Sequence, residues 1–110
     1  MIETQYTIQY SPLFYKDLLE KASYIANDLN NSDAANRLVD AVERAILERS
    51  WCAESFEPYP SKKKRENPYY AIYVDNFVIY YVVLNHTVME VRRFLYKRQN
   101  RWKLLERSDR

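Results

Sequence analysis

The chain has 110 residues, 47% of them hydrophobic, which is enough for one compact core and too little for two. Its net charge of +2 conceals a division: residues 1–58 hold five Lys/Arg against ten Asp/Glu, a net of −5, and residues 59–110 hold twelve against five, a net of +7. Glycine is absent, which excludes phosphate-cradling loops of the dinucleotide and P-loop kinds, and the single cysteine, Cys52, excludes an internal disulfide.

Thr4 to Tyr10 alternates, with Tyr6, Ile8 and Tyr10 on one side, and predicts a short half-buried strand. Ser11-Pro12 reads as an N-cap followed by proline in the first helical turn. Phe14, Leu18, Ala22, Ile25 and Leu29 then form one apolar stripe, ended by Asn30-Asn31. A second helix, capped by Ser32 or Asp33, carries Ala35, Leu38, Val39, Val42, Ala45 and Ile46 inward, with Arg49 at the end of the stripe. So short a break between helices predicts an antiparallel hairpin.

From Trp51 to Pro68 the periodicity is lost, and this loop carries the cation cluster Lys62, Lys63, Lys64 and Arg65. Three β-rich runs follow, Tyr69 to Val74, Phe77 to Leu84 and Thr87 to Tyr96. Asp75-Asn76 and Asn85-His86 separate them as turns, so the runs form an antiparallel meander. In the last run strict alternation sets Val88, Glu90, Arg92, Phe94 and Tyr96 on one side and Met89, Val91, Arg93 and Leu95 on the other. The adjacent arginines should then point to opposite faces, one of them pairing with a helix carboxylate such as Asp17 or Glu20. The tail predicts a short helical turn holding Trp102, Leu104 and Leu105 against the body. The first strand can pair only with the meander.

The fold class is therefore α+β: β-α-α-β-β-β, an antiparallel sheet with a helical hairpin on one face and a short C-terminal helical tail, as one domain over residues 1–110. No stretch approaches the roughly 20 apolar residues of a membrane span. The start Met1-Ile2-Glu3-Thr4-Gln5 lacks a signal pattern, and the unpaired thiol favours the cytoplasm. No metal cluster is visible and no cofactor is expected. His86 reads as an ordinary turn residue and Cys52 as an inert thiol.

This order, with Tyr6-Thr7-Ile8-Gln9-Tyr10-Ser11-Pro12 leading to Asp17-Leu18, then Tyr24-Ile25 and Ala34-Ala35, resembles the RelE/ParE superfamily of small toxins from bacterial type II toxin-antitoxin modules. The resemblance continues through Val74-Asp75-Asn76-Phe77-Val78-Ile79-Tyr80-Tyr81, Val91-Arg92-Arg93-Phe94-Leu95-Tyr96, Arg98, Asn100 and Leu104-Leu105. It implies a toxin of plasmid-stabilisation type that forms a hetero-oligomer with a cognate acidic antitoxin. In that superfamily the antitoxin wraps the toxin and covers its active face, and the resemblance implies the same here.

The superfamily has two activities. In the RelE branch, ribosome-dependent mRNA endonucleases position the 2′-hydroxyl, stabilise the charged phosphorane-like state and protonate the leaving oxygen. The ParE branch inhibits DNA gyrase by binding. The nuclease branch's last-strand arginine falls on Arg98; its other central arginine falls on Val78, its lysines near Tyr70 and Ile72, and its tyrosine near Leu104. These expected positions are thus empty, which favours ParE-like binding to gyrase. The alternative is an mRNA interferase with a rearranged catalytic set of Tyr96, Arg98 and Arg93, together with the lysine loop Lys62 to Arg65. Binding of target or antitoxin falls to Lys62, Lys63, Lys64, Arg65, Arg92 and Tyr73. Gln99 departs from many ParE-like relatives, which carry arginine there.

Overall fold

The computed structural model describes residues 4–60, 66–99 and 104–105. Its elements run β1 (Thr7–Tyr10), α1 (Pro12–Ser23), one turn of π-helix (Tyr24–Asp28), α2 (Ser32–Arg49), β2 (Tyr70–Val74), β3 (Phe77–Leu84) and β4 (Val88–Tyr96). The four strands form one sheet in the order β1-β4-β3-β2. The expected α+β architecture is present, with one change of detail. β2, β3 and the body of β4 pair antiparallel, but β1 lies parallel to β4, so the sheet is mixed. Crossing over through the two helices before returning to the sheet permits that direction.

Local chemistry explains most of the boundaries. The Ser11 hydroxyl accepts from the Phe14 N–H at 3.3 Å and donates to the Arg92 carbonyl at 2.8 Å, so one side chain caps α1 and ties it to β4. The α2 cap is Asn31, ahead of both predicted candidates, Ser32 and Asp33, and its side-chain oxygen accepts from Ala34 N–H at 3.0 Å. Asn30, Asp75, Asn85 and His86 all have positive φ, near 50°. In a chain without glycine, these short polar side chains take the left-handed positions that tight turns need. The predicted helical stripe fades at its end, because the π-turn shifts the register and leaves Leu29 56% exposed.

Both sheet faces are buried. Phe14, Leu38, Val42 and Ile46 from the helices meet Tyr70, Ile72, Phe77, Ile79, Tyr81, Met89, Val91 and Phe94 on one face. Val78, Tyr80, Val82 and Leu95 on the other are covered by Tyr59 from the loop and by Leu104 and Leu105 of the tail, where Leu104 and Leu105 are helical. β3 is buried on both sides, which is why Phe77 to Leu84 reads as an unbroken apolar run.

One element contradicts strict alternation. The β3–β4 register shifts between Tyr80 and Tyr81, which pair with Arg93 and Val91 and leave Arg92 as an extra residue in β4. Phe94 therefore joins Met89 and Val91 on the helix side, and Leu95 faces away. A bulge of this kind turns two successive side chains to the same side. Arg92 and Arg93 accordingly do not take opposite faces: one reaches the Tyr69 hydroxyl and the other the Leu104 carbonyl, both at the border of the second cluster.

Candidate functional site

β1 pairs with β4 only as far as Val91. Beyond that point α1 takes over the edge. Asp17, on the face of α1 that carries Phe14, accepts from Arg93 Nε at 2.7 Å, Arg93 Nη2 at 3.0 Å and the Phe94 backbone N–H at 3.0 Å. The carboxylate and guanidinium are both almost fully buried. A bidentate pair with a third donor satisfies Asp17 and fixes the angle of α1 on the sheet. Arg93 is therefore placed in a structural lock.

One turn along the same face lies Lys21, only 6% exposed. Its Nζ sits 5.0 Å from the centre of the Tyr96 ring and 5.9 Å from that of Phe94. Burial lowers its pKa, against the opposing pull of Asp17 and Glu20 and with the help of Arg93.

Tyr96 is 39% exposed, and its ring lies 5.0 Å from that of Phe77. The chain then folds back, with Lys97 N–H donating to Asn76 O at 2.9 Å, Gln99 N–H to Tyr96 O at 3.1 Å, and Tyr96 N–H to Gln99 Oε1 at 2.6 Å. Asn76, Phe77, Tyr96, Lys97 and Arg98 line the resulting open cleft of about 540 Å³. Lys97 also stands over the exposed Tyr73 ring, 5.7 Å from its centre. The cleft has an aromatic floor and a cationic rim, suited to an anion attached to an apolar or planar group.

Of the residues singled out in the sequence, the fold brings together Tyr96, Arg98 and Tyr73 at this end of the sheet. Arg93 is near but buried. Arg92 lies elsewhere, half-buried, donating to Glu90 Oε1 at 2.7 Å and to the Tyr69 hydroxyl at 3.4 Å. Lys62, Lys63, Lys64 and Arg65 fall outside the described residues, as does Trp102. Sequence reasoning missed Lys21, Phe77 and Lys97. The signal for Lys21 was present in the Phe14, Asp17, Lys21 spacing, which matches the buried helical face.

It also missed a polar chain at the far end of the sheet. Tyr6 donates to Glu54 Oε1 at 2.8 Å, and Glu54 Oε2 lies 2.8 Å from His86 Nδ1. The bond to Glu54, aided by burial, pushes Tyr6 up to about 12, so it stays a protonated donor. Burial pushes Glu54 up, but the hydrogen bonds from Tyr6 and His86 and the charge of His86 outweigh it and hold the carboxyl below its usual range. Among the described residues no three His, Cys, Asp or Glu side chains gather as a metal site. No described helix is long and apolar enough to cross a membrane.

A second concavity lies between β1, α1 and α2, lined by Ile8, Tyr10, Phe14, Tyr15, Leu18, Val42, Glu43, Ile46 and Leu47. Tyr15 and Leu47 are each more than half exposed, so this groove offers apolar surface to a partner.

No curated protein matches the chain. Among solved structures it is similar to a chain described as "Chromosomal ParDE TA system from P. aeruginosa", at a TM-score of 0.68 and 12% identity, over 84% of this chain and 96% of that one. At that identity the likeness speaks for the fold. The family model described as "ParE toxin of type II toxin-antitoxin system, parDE" matches residues 8–101, nearly the whole of the strand, hairpin and meander set out above, and on that match the chain belongs to the ParE toxin family.

Proposed function

We propose that this type II toxin inhibits growth by binding its target through the end of the sheet that carries Tyr73, Tyr96, Lys97 and Arg98, in the ParE manner and without cutting RNA. The observation that carries the reading is the fate of the nuclease positions. Val78, Ile72 and Tyr70 are buried core residues, and Arg93, the substitute cation of β4, is consumed by Asp17. Among the described residues Tyr96, Lys97 and Arg98 remain, a ring and two cations that offer charge and stacking but no evident general base at one phosphate. A binding role asks less of them: an aromatic floor and a cationic rim recognise an acidic, partly apolar surface directly. DNA gyrase is the target the family membership favours.

Neutralisation is read from the same surfaces. A cognate antitoxin with acidic residues for the Lys97/Arg98 end and apolar anchors for the groove between β1, α1 and α2 would let charge set the encounter rate and burial set the affinity. The test is gyrase supercoiling with purified toxin, alone and after mixing with antitoxin. Inhibition relieved by antitoxin is the expected result; full supercoiling at toxin concentrations that arrest growth overturns the gyrase assignment.

A further inference from the structure

Lys21 is a cation where an apolar residue would pack more cheaply. It is 6% exposed, and its Nζ faces the rings of Tyr96 and Phe94. Among the described residues no carboxylate lies within ion-pair distance of that nitrogen. Asp17, its neighbour one turn back, already accepts three hydrogen bonds from Arg93 and Phe94. Glu20 adjoins it on α1 but is exposed, and Arg93 adds a like charge from β4. A buried cation held by aromatic faces in place of an anion costs stability, and burial accordingly depresses its pKa. A buried charge that breaks local packing rules in this way is the kind of exception expected at functional sites.

The position of Lys21 indicates what that function is. Its ammonium lies against Tyr96, the ring that floors the cleft between Phe77 and the Lys97-Arg98 rim. We propose that Lys21 is a positioning residue for Tyr96 and a third, concealed cation of this cleft, and that the cleft takes a carboxylate-bearing, partly apolar side-chain pair from an acidic segment of the antitoxin. The assignment rests on the toxin-antitoxin reading and deepens it by naming the chemistry recognised. The cation fixes the ring from one side, and it adds positive potential beneath a surface where the exposed lysine and arginine alone are screened by solvent.

The test compares Lys21→Met and Lys21→Arg with the wild-type chain, titrating each calorimetrically with purified cognate antitoxin at low and high salt, alongside thermal unfolding. Methionine matches lysine in length and suits an aromatic setting, so Lys21→Met should keep or raise the melting temperature while weakening antitoxin binding about tenfold, with a flatter salt dependence. Lys21→Arg keeps the charge and should bind within about threefold of wild type. In a Tyr96→Leu background, which lacks the ring that Lys21 holds, the Lys21→Met effect should shrink to about twofold or less.

Wild-type affinity in Lys21→Met overturns the proposal, as does an affinity loss that only tracks a lowered melting temperature. Equal losses in Lys21→Met and Lys21→Arg overturn the charge argument. Failure of the wild-type chain to bind the antitoxin overturns both this proposal and the reading beneath it, and is thereby distinguishable from a failure confined to Lys21.

Discussion

The two ends of β4 are sealed in different ways. At its start, β1 pairs with Val88 to Val91 and supplies ordinary strand hydrogen bonds, reinforced by the Tyr6–Glu54–His86 chain. At its finish β1 is gone, and side chains of α1 and its cap do the sealing: Ser11 holds Arg92 O, and Asp17 holds Arg93 and Phe94 N–H. The difference shows where function can be placed. Backbone pairing makes an edge with little chemical character, whereas sealing by side chains gathers charge and aromatic rings, and the open cleft lies directly beside that gathering.

The contrast can be broken most severely at Asp17. Asp17→Asn leaves Arg93 buried without its counter-charge, and unfolding in urea should show a loss of about 3–5 kcal/mol. Ser11→Ala removes the helix cap and the bond to Arg92 O together, and the same measurement should give a loss of about 1–2 kcal/mol. At the opposite end Tyr6→Phe deletes a single half-buried hydrogen bond, with a cost of about 1 kcal/mol at neutral pH.

Its clearer signature lies at alkaline pH. The folded Tyr6 keeps its proton up to about 12, whereas an unfolded tyrosine loses it near 10.0, so this side chain's share of stability is present below pH 10 and is lost as pH rises towards 12. Tyr6→Phe should make that part of the decline shallower in pH-dependent unfolding, where other raised tyrosines, Tyr10, Tyr70 and Tyr81, continue to contribute. The smallest change in stability is expected for Arg98→Ala, below about 0.5 kcal/mol because the residue is exposed, yet it should weaken growth inhibition in cells. A stability loss as large as that of Asp17→Asn would move Arg98 from the binding surface to the structural lock.

Most of the fold was legible because the signals were local. Ser11-Pro12 announced a helix start, Asn and Asp marked turns in a chain without glycine, and Phe77 to Leu84 stood out as a β-rich run. The direction of β1 was not legible, since pairing with either direction satisfies a four-residue strand. The bulge at Arg92 was also hidden: one extra residue reverses the facing of everything after it, and nothing in Val91-Arg92-Arg93-Phe94 marks which residue is extra.

The site was half legible for the same reason. Tyr73, Tyr96 and Arg98 stood out by type, and one partner of an arginine was foreseen in Asp17. Lys21 was read past because a lysine interrupts an apolar stripe in type but not in position. Phe77 carried no signal beyond its place in a β-rich run, although its ring serves both the core and the cleft.

The central claim is that the end of the sheet binds and does not cut. Primer extension on a reporter mRNA in a cell-free translation reaction, with toxin added in the presence and absence of ribosomes, tests it most directly. The account predicts intact mRNA in both. New 5′ ends that appear only with ribosomes, and vanish in Arg98→Ala or Tyr96→Phe, would contradict it and make this cleft a nuclease site.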